Sequence, residues 1–173
     1  MDKKHELLKA MVVLPGTGLV LIPAFILLWS GQIHWLCGKI LPESMFVVAV
    51  VFLLASVGFS VALWTVMLFY THGNGTPAPW APPKHLVARG PYAYVRNPML
   101  MAVHAILLAE ALLFGSVGIL AWAVIFWALN TLYFTLIEEP GLTKRFGDEY
   151  VDYAKNVSRW VPRLTAWEPK GKG

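Results

Sequence analysis

Charge is what this chain has least of: 14% of its 173 residues are Asp, Glu, Lys or Arg, against 57% that are hydrophobic. Soluble domains carry about 25% charged residues, so too little polar surface remains to coat a water-borne globule. Cysteine is nearly absent too. Cys37 stands alone, which excludes an internal disulfide framework and leaves a bland apolar side chain. The histidines at 5, 34, 72, 85 and 104 lack ligand spacing, so no metal site is expected. Neither a glycine-rich phosphate loop nor a nucleophile elbow is present. The formal charge of +4 would hint at nucleic acid in a soluble protein. Here it fits basic loops facing anionic lipid, and no nucleic-acid partner is expected.

What the chain does have is long apolar runs, and crossing a bilayer core takes about 20 apolar residues. Four stretches qualify, which predicts an all-α integral membrane bundle of about four transmembrane helices. The first runs from Met11 to Trp29, interrupted by Pro15, Gly16, Gly18 and Pro23. It has span length and no small-residue cleavage site, so it reads as a retained span rather than a removable leader. The second follows a candidate N-cap at Ser44 and runs to about Tyr70, with Gly73 as its expected C-cap. The third starts at Asn97-Pro98 and ends at Phe114; Gly115 to Gly118 turn into the fourth, which ends near Ile137. Thirteen of the fourteen Lys and Arg residues fall on one side of this arrangement, and only Lys39 on the other. The positive-inside rule then places both termini, and the long loop between spans two and three, in the cytoplasm. Amphipathic helices are expected at both ends: Asp2 to Met11, and a C-terminal one carrying Phe146, Tyr150, Tyr153, Ala154 and Val157 on one face. The second can lie in the headgroup layer or close over a site, and the two are compatible.

Chemistry concentrates in two places. The connection from Thr71 to Arg96 is too long for a mere link; its Gly/Pro-rich first part gives way to basic, aromatic and turn residues from Lys84 to Pro98. On the fourth span, Asn130, Phe134 and Glu138 share one row and Thr131, Thr135 and Glu139 the next. Polar groups on a lipid-immersed helix usually face protein or a wet cavity, because facing lipid is costly. Glu139 can equally sit in water at the helix end, whereas Glu138 continues the Asn130 row. His104 and Glu110, within the third span, lie on different faces and form no obvious pair, with Glu110 toward the outer end.

The series Gly90-Pro-Tyr-Ala-Tyr-Val-Arg-Asn-Pro98, an apolar hairpin, Glu138-Glu139-Pro-Gly-Leu142, Phe146-Gly-Asp-Glu-Tyr150-Val-Asp-Tyr153 and Arg159-Trp-Val-Pro162 resembles the isoprenylcysteine carboxyl methyltransferase family. More broadly it is similar to the membrane methyltransferases that include phospholipid N-methyltransferases. The resemblance covers roughly residues 84 to 163; the first two spans match only in hydropathy. It implies a single membrane-embedded domain over 1–173 that uses S-adenosyl-L-methionine in a pocket facing the cytoplasm. The cofactor-binding residues it implicates are Lys84, His85, Leu86, Val87, Tyr92, Asn97, Pro98, Met99 and Leu100, with Glu138 as the cofactor glutamate. The chain departs from the family pattern at Asn97, commonly histidine, at Leu100, commonly tyrosine, and at Ala102, commonly glycine. Phe134 stands where the eukaryotic prenylcysteine enzymes carry an arginine linked to the substrate carboxylate.

The expected reaction is methyl transfer to a lipid-like or prenylated small-molecule acceptor drawn from among the membrane lipids. A carboxylate acceptor needs no base; an amine acceptor does, and Glu139 is then the candidate general base. Arg96 is the candidate anchor for a carboxylate of cofactor or substrate. Phospholipid N-methylation is the alternative to carboxyl O-methylation. A small multi-helix transporter is the competing class, but transport sites usually sit at the midplane on broken helices, whereas this polar cluster lies at one membrane face.

Overall fold

The computed structural model describes residues 16–31, 44–74 and 82–169, and among these the chain is entirely helical, without a strand. The start of the first apolar stretch, the expected helix from Asp2 to Met11, Cys37 and Lys39 lie outside the described residues. A π turn over Gly16–Leu21 leads into α1, Ile22–Trp29, with Pro23 in its first turn, where a missing N–H costs nothing. Helix α2 spans Met45–Thr71. Its 27 residues extend about 40 Å at 1.5 Å per residue, enough to cross a hydrocarbon core. Ser44 is extended as an N-cap should be, but its side chain makes no capping bond.

Helix α3, Pro98–Phe114, begins with proline after Asn97 and stops where Gly115 turns left-handed at φ 57°, ψ 31°. Both ends fall where the sequence places them. Ser116 then caps α4, Val117–Tyr133, by accepting from the Ile119 N–H. The helical run does not end near Ile137. A π segment, Phe134–Glu138, carries it into α5, Glu139–Phe146, giving one helical run of 30 residues. Gly147, at φ 56°, reverses the chain into α6, Asp148–Asn156.

By length and composition, α2 and the run Val117–Phe146 can each cross a membrane, while Gly16–Trp29 and Pro98–Phe114 are shorter apolar helices. Their outer faces are apolar: Phe46, Phe52, Leu53, Val124, Leu132 and Leu136 are all more than half exposed. Such a surface belongs in lipid, because water would not tolerate so broad an apolar patch. The helices pack closely where glycine permits. A Cβ at Gly58 of α2 would lie 2.7 Å from Ile106 Cγ1 and 2.9 Å from the Ala102 carbonyl of α3. Leu27, Ala111 and Ile119 join α1 to the α3–α4 hairpin, and the Trp122 indole donates to the Gly18 carbonyl across 3.0 Å.

Beyond α6 the chain folds back as a strap. Arg96, Arg163 and Trp167 amides pair with the carbonyls of Ser158, Tyr94 and Ala93 at 2.9–3.0 Å. The strap and the loop before α3 are thus one hydrogen-bonded unit, with Tyr150, Tyr153, Val157 and Trp167 as its buried core.

Candidate active site

The site is built from the bottom by how the loop 82–97 is held. The Lys84 amide donates to the Gly73 carbonyl at 2.7 Å, closing the loop onto the end of α2. Gly73, expected to close α2, follows the cap residue His72 and donates its N–H to the Leu68 carbonyl at 3.3 Å; it is also a point of close approach, since a Cβ there would meet Phe69 O at 2.8 Å and Val87 Cγ2 at 3.1 Å. Gly90 is left-handed at φ +56°, with Leu68 and Trp64 packed against it, and opens a 3-10 turn over Gly90–Ala93. Tyr92 packs its ring edge-on to Phe69, 5.4 Å between centroids, and its carbonyl accepts from the Tyr153 hydroxyl at 2.7 Å. Burial pushes the Tyr153 phenol up, helped by neighbouring Tyr150, so the hydroxyl keeps its proton and stays a donor.

Above this floor sits an ion cluster. Arg159 of the strap grips Glu139 with two hydrogen bonds, Nε to Oε1 at 2.7 Å and Nη2 to Oε2 at 2.9 Å. Arg96 approaches Oε1 at 3.2 Å. Both Glu139 oxygens are therefore occupied. The Glu139 hydrogen bonds hold the Arg159 guanidinium even above its usual range, so it stays charged. Glu138 is differently placed: its Oε2 accepts from the Tyr133 hydroxyl at 3.4 Å. That contact spans five residues, the spacing a π turn brings together. Arg96 keeps one enclosed donor, Nε, without a partner among the described residues, and burial of an unsatisfied donor is unfavourable.

These groups open into one cavity of about 510 Å³, within the usual size range for small-molecule sites. Of the ten residues implicated in cofactor binding, eight line it: His85, Leu86, Val87, Tyr92, Asn97, Met99, Leu100 and Glu138. Arg96 and Glu139 line it as well. Lys84 and Pro98 do not. Lys84 is exposed and serves through its backbone amide, and Pro98 is buried at the start of α3. Asn130 and Phe134 reach the cavity as the polar row proposes, while His104 does not. Its Nδ1 lies 2.8 Å from the Leu100 carbonyl, and its ring stands edge-on to Trp127 at 4.5 Å. The remaining wall is apolar and belongs to the helices, with Gly18, Leu19, Val103 and Phe126.

Three residues outside the expected site set contribute to it. Tyr150 and Arg145 face the cavity, and Arg159 supplies the grip on Glu139 from outside the helical hairpin. Burial first, then the Glu139 charge, raises the Tyr150 phenol, with Arg96 pulling the other way. Tyr150 was signalled by its place on the amphipathic face expected after Phe146 and Arg159 by the block Arg159–Pro162, whereas Arg145 belongs to none of the blocks.

Among the described residues, an all-helical fold with an apolar exterior and a cavity lined by ion pairs, aromatic rings and apolar side chains fits a membrane protein with a small-molecule site. Residues 44–149 match the model of the phospholipid methyltransferase family, and the chain belongs to that family. It is a membrane-associated methyltransferase. The matched segment starts before α2, further toward the N-terminus than the motif resemblance reaches, and stops before the strap. No curated protein and no solved structure matches the chain.

Proposed function

We propose that the chain transfers a methyl group from S-adenosyl-L-methionine to a lipid-like acceptor that enters from the bilayer. The observation that carries this reading is the cavity's mixed lining. Carboxylates, guanidiniums and aromatic rings face it together with the apolar Gly18, Leu19, Val103 and Phe126. The cofactor presents a zwitterionic head, a hydroxylated ribose and a flat base, which this donor and acceptor set fits. When bound, it supplies an electrophilic methyl on a sulfonium sulfur. The chain's part is then alignment and exclusion of water, and orientation of this kind accounts for much of the rate in displacement reactions.

Within that reading, Glu138 accepts hydrogen bonds from the ribose hydroxyls or the amino group. The free Arg96 Nε donates to an anionic group, and Asn97 offers both donor and acceptor. Glu139 is the base expected for an amine acceptor, yet both its oxygens already accept from arginines. We assign it a positioning role instead: it fixes Arg96 and ties the strap to the π segment, and an amine acceptor gives up its ammonium proton to water before it enters the cavity, reacting as the free amine. The pocket faces the cytoplasm in a four-crossing topology, because the basic residues then lie almost wholly inside.

The family match favours an aminophospholipid acceptor, as does Phe134 in place of the arginine that the resemblance links to a prenylcysteine carboxylate. Carboxyl O-methylation is the second reading, favoured by the unpartnered Arg96 Nε, which suits an acceptor that is already anionic. Calorimetry of S-adenosylmethionine binding to the purified protein tests the shared part; no binding would sink both. Labelled methyl transferred to a lipid extract then separates them. Label that survives alkali is an N-methyl group, and label released as methanol is an ester.

A further inference from the structure

Away from the active-site ion cluster, a second cavity of about 360 Å³ lies between the first helix and α3. Its walls are the aliphatic side chains of the stretch from Leu19 to Leu28, with Phe114 and one ionisable group, Glu110. The Glu110 Oε2 atom is enclosed and has no hydrogen-bond partner among the described residues. Glu110 is twelve residues along α3 from Pro98, or about 18 Å at helical rise, so it takes no part in the ion cluster around Glu139. Leu19 alone lines both cavities.

An ionisable side chain facing an apolar, lipid-side groove is unfavourable unless something satisfies it. We propose that this groove is a second binding site, for an amphiphile that carries a primary ammonium group on an apolar tail. The ammonium donates to Glu110 and the tail lies along the first helix. Charge complementarity selects the class. An anionic head is repelled by the carboxyl, a neutral alcohol brings one donor and no charge, and an ammonium brings both charge and several donors. The site goes beyond the proposed methyl transfer and does not depend on it.

The test uses the full chain in a nonionic detergent with three photoreactive long-chain alkyl probes, ending in a primary amine, an alcohol or a carboxylate. The amine should label the 19–28 stretch about tenfold more than the alcohol, the scale of one charge-assisted hydrogen bond, and the carboxylate least. Glu110→Gln should bring amine labelling down to the alcohol level. Ala24→Trp, which fills the groove from the opposite wall, should abolish labelling by all three. S-adenosylmethionine affinity should stay within about twofold in both variants, which shows that they fold and separates this site from the methyl-transfer pocket. Competition by an ethanolamine-headed lipid and not by a choline-headed one would name a lipid headgroup as the source of the amine. Competition by simple alkylamines alone would name free amines, and either outcome supports the site. Equal labelling by the three probes, or amine labelling undiminished in Glu110→Gln, overturns it.

Discussion

Glu138 and Glu139 are neighbours in sequence but differ in what occupies their oxygens, and that difference separates their expected phenotypes. Glu138 lines the cavity with a single long contact from Tyr133 at 3.4 Å, so its lone pairs are open to a ligand. A hydrogen bond to a charged acceptor contributes about 1.5–3 kcal/mol, and each 1.4 kcal/mol is tenfold in affinity. Glu138→Gln should weaken S-adenosylmethionine binding about tenfold by calorimetry, and Glu138→Ala should weaken it further. Glu110→Gln should leave that affinity nearly unchanged; equal damage from both would put the pocket elsewhere. Glu139 belongs to the strap. With about a third of the Arg159 side chain exposed, solvent screening limits the pair to about 1 kcal/mol. A double-mutant cycle of Arg159→Ala and Glu139→Gln, read by thermal melting, should return a coupling of that size. No coupling would mean that the strap is held by its backbone bonds and buried core without help from the ion pair. The reach of Glu138 was legible in the polar row on the fourth span, but the Arg159 grip was not. It joins residues 20 apart across the reversal at Gly147, and no periodicity marks such a pair.

Element boundaries were readable wherever one residue type dictates the backbone. Asn97-Pro98 starts α3 and Gly115 ends it, because proline suits a helix start and glycine a left-handed stop. The helix of the fourth span runs on to Phe146, past the apolar stretch that ends near Ile137, for a physical reason. The charges at Glu138 and Glu139 end the apolar run, whereas the backbone continues through Pro140, which would normally clash with a carbonyl one turn back. The π segment at Phe134–Glu138 widens the helix just ahead of that proline and relieves the demand. A search for a 3.6-residue period cannot see this, since π turns shift neighbours to a spacing of five. The loop 82–97 makes a claim of its own. Gly90 sits at φ +56° with Leu68 Cδ1 3.0 Å and Trp64 Cζ2 3.1 Å from where a Cβ would be, so Gly90→Ala is strained both by conformation and by contact. A cost of about 1–3 kcal/mol is expected. It should appear as a lower melting temperature and as faster protease cleavage between Lys84 and Asn97. In the unmodified chain that cleavage should be slow, and slower still with S-adenosylmethionine. Rapid cleavage indifferent to ligand would mean that the loop is a linker and not the floor of a site.

At the scale of the whole molecule, composition alone excluded a water-borne globule, and the apolar exterior of α2 and α4 agrees. What composition could not convey is the strap, whose bonds to Ala93, Tyr94 and Arg96 run through main-chain amides and carbonyls that every sequence possesses. Orientation is a question for the whole chain, because it is set by the sum of the basic residues around all the spans. In a four-crossing arrangement, Lys3, Lys4 and Lys9 precede the first span, and Lys84, Arg89 and Arg96 lie between the second and third. All the basic residues from Lys144 onward follow the fourth, leaving only Lys39 on the far side. Reversing the protein would carry thirteen cations across, against the strong bias of cytoplasmic loops toward Lys and Arg. An odd number of crossings would split the two ends and lose the asymmetry. Both termini are therefore expected in the cytoplasm, on the side of the active-site cavity. The check is single cysteines at Asp2→Cys and at Gly171→Cys in a Cys37→Ser background, treated in intact cells with a membrane-impermeant thiol reagent. Neither should react until the cells are permeabilised. Reaction of Gly171→Cys alone would mean an odd number of crossings. Reaction of both would turn the molecule over and place Glu138, Arg96 and their cavity on the face where a cytoplasmic methyl donor cannot reach them.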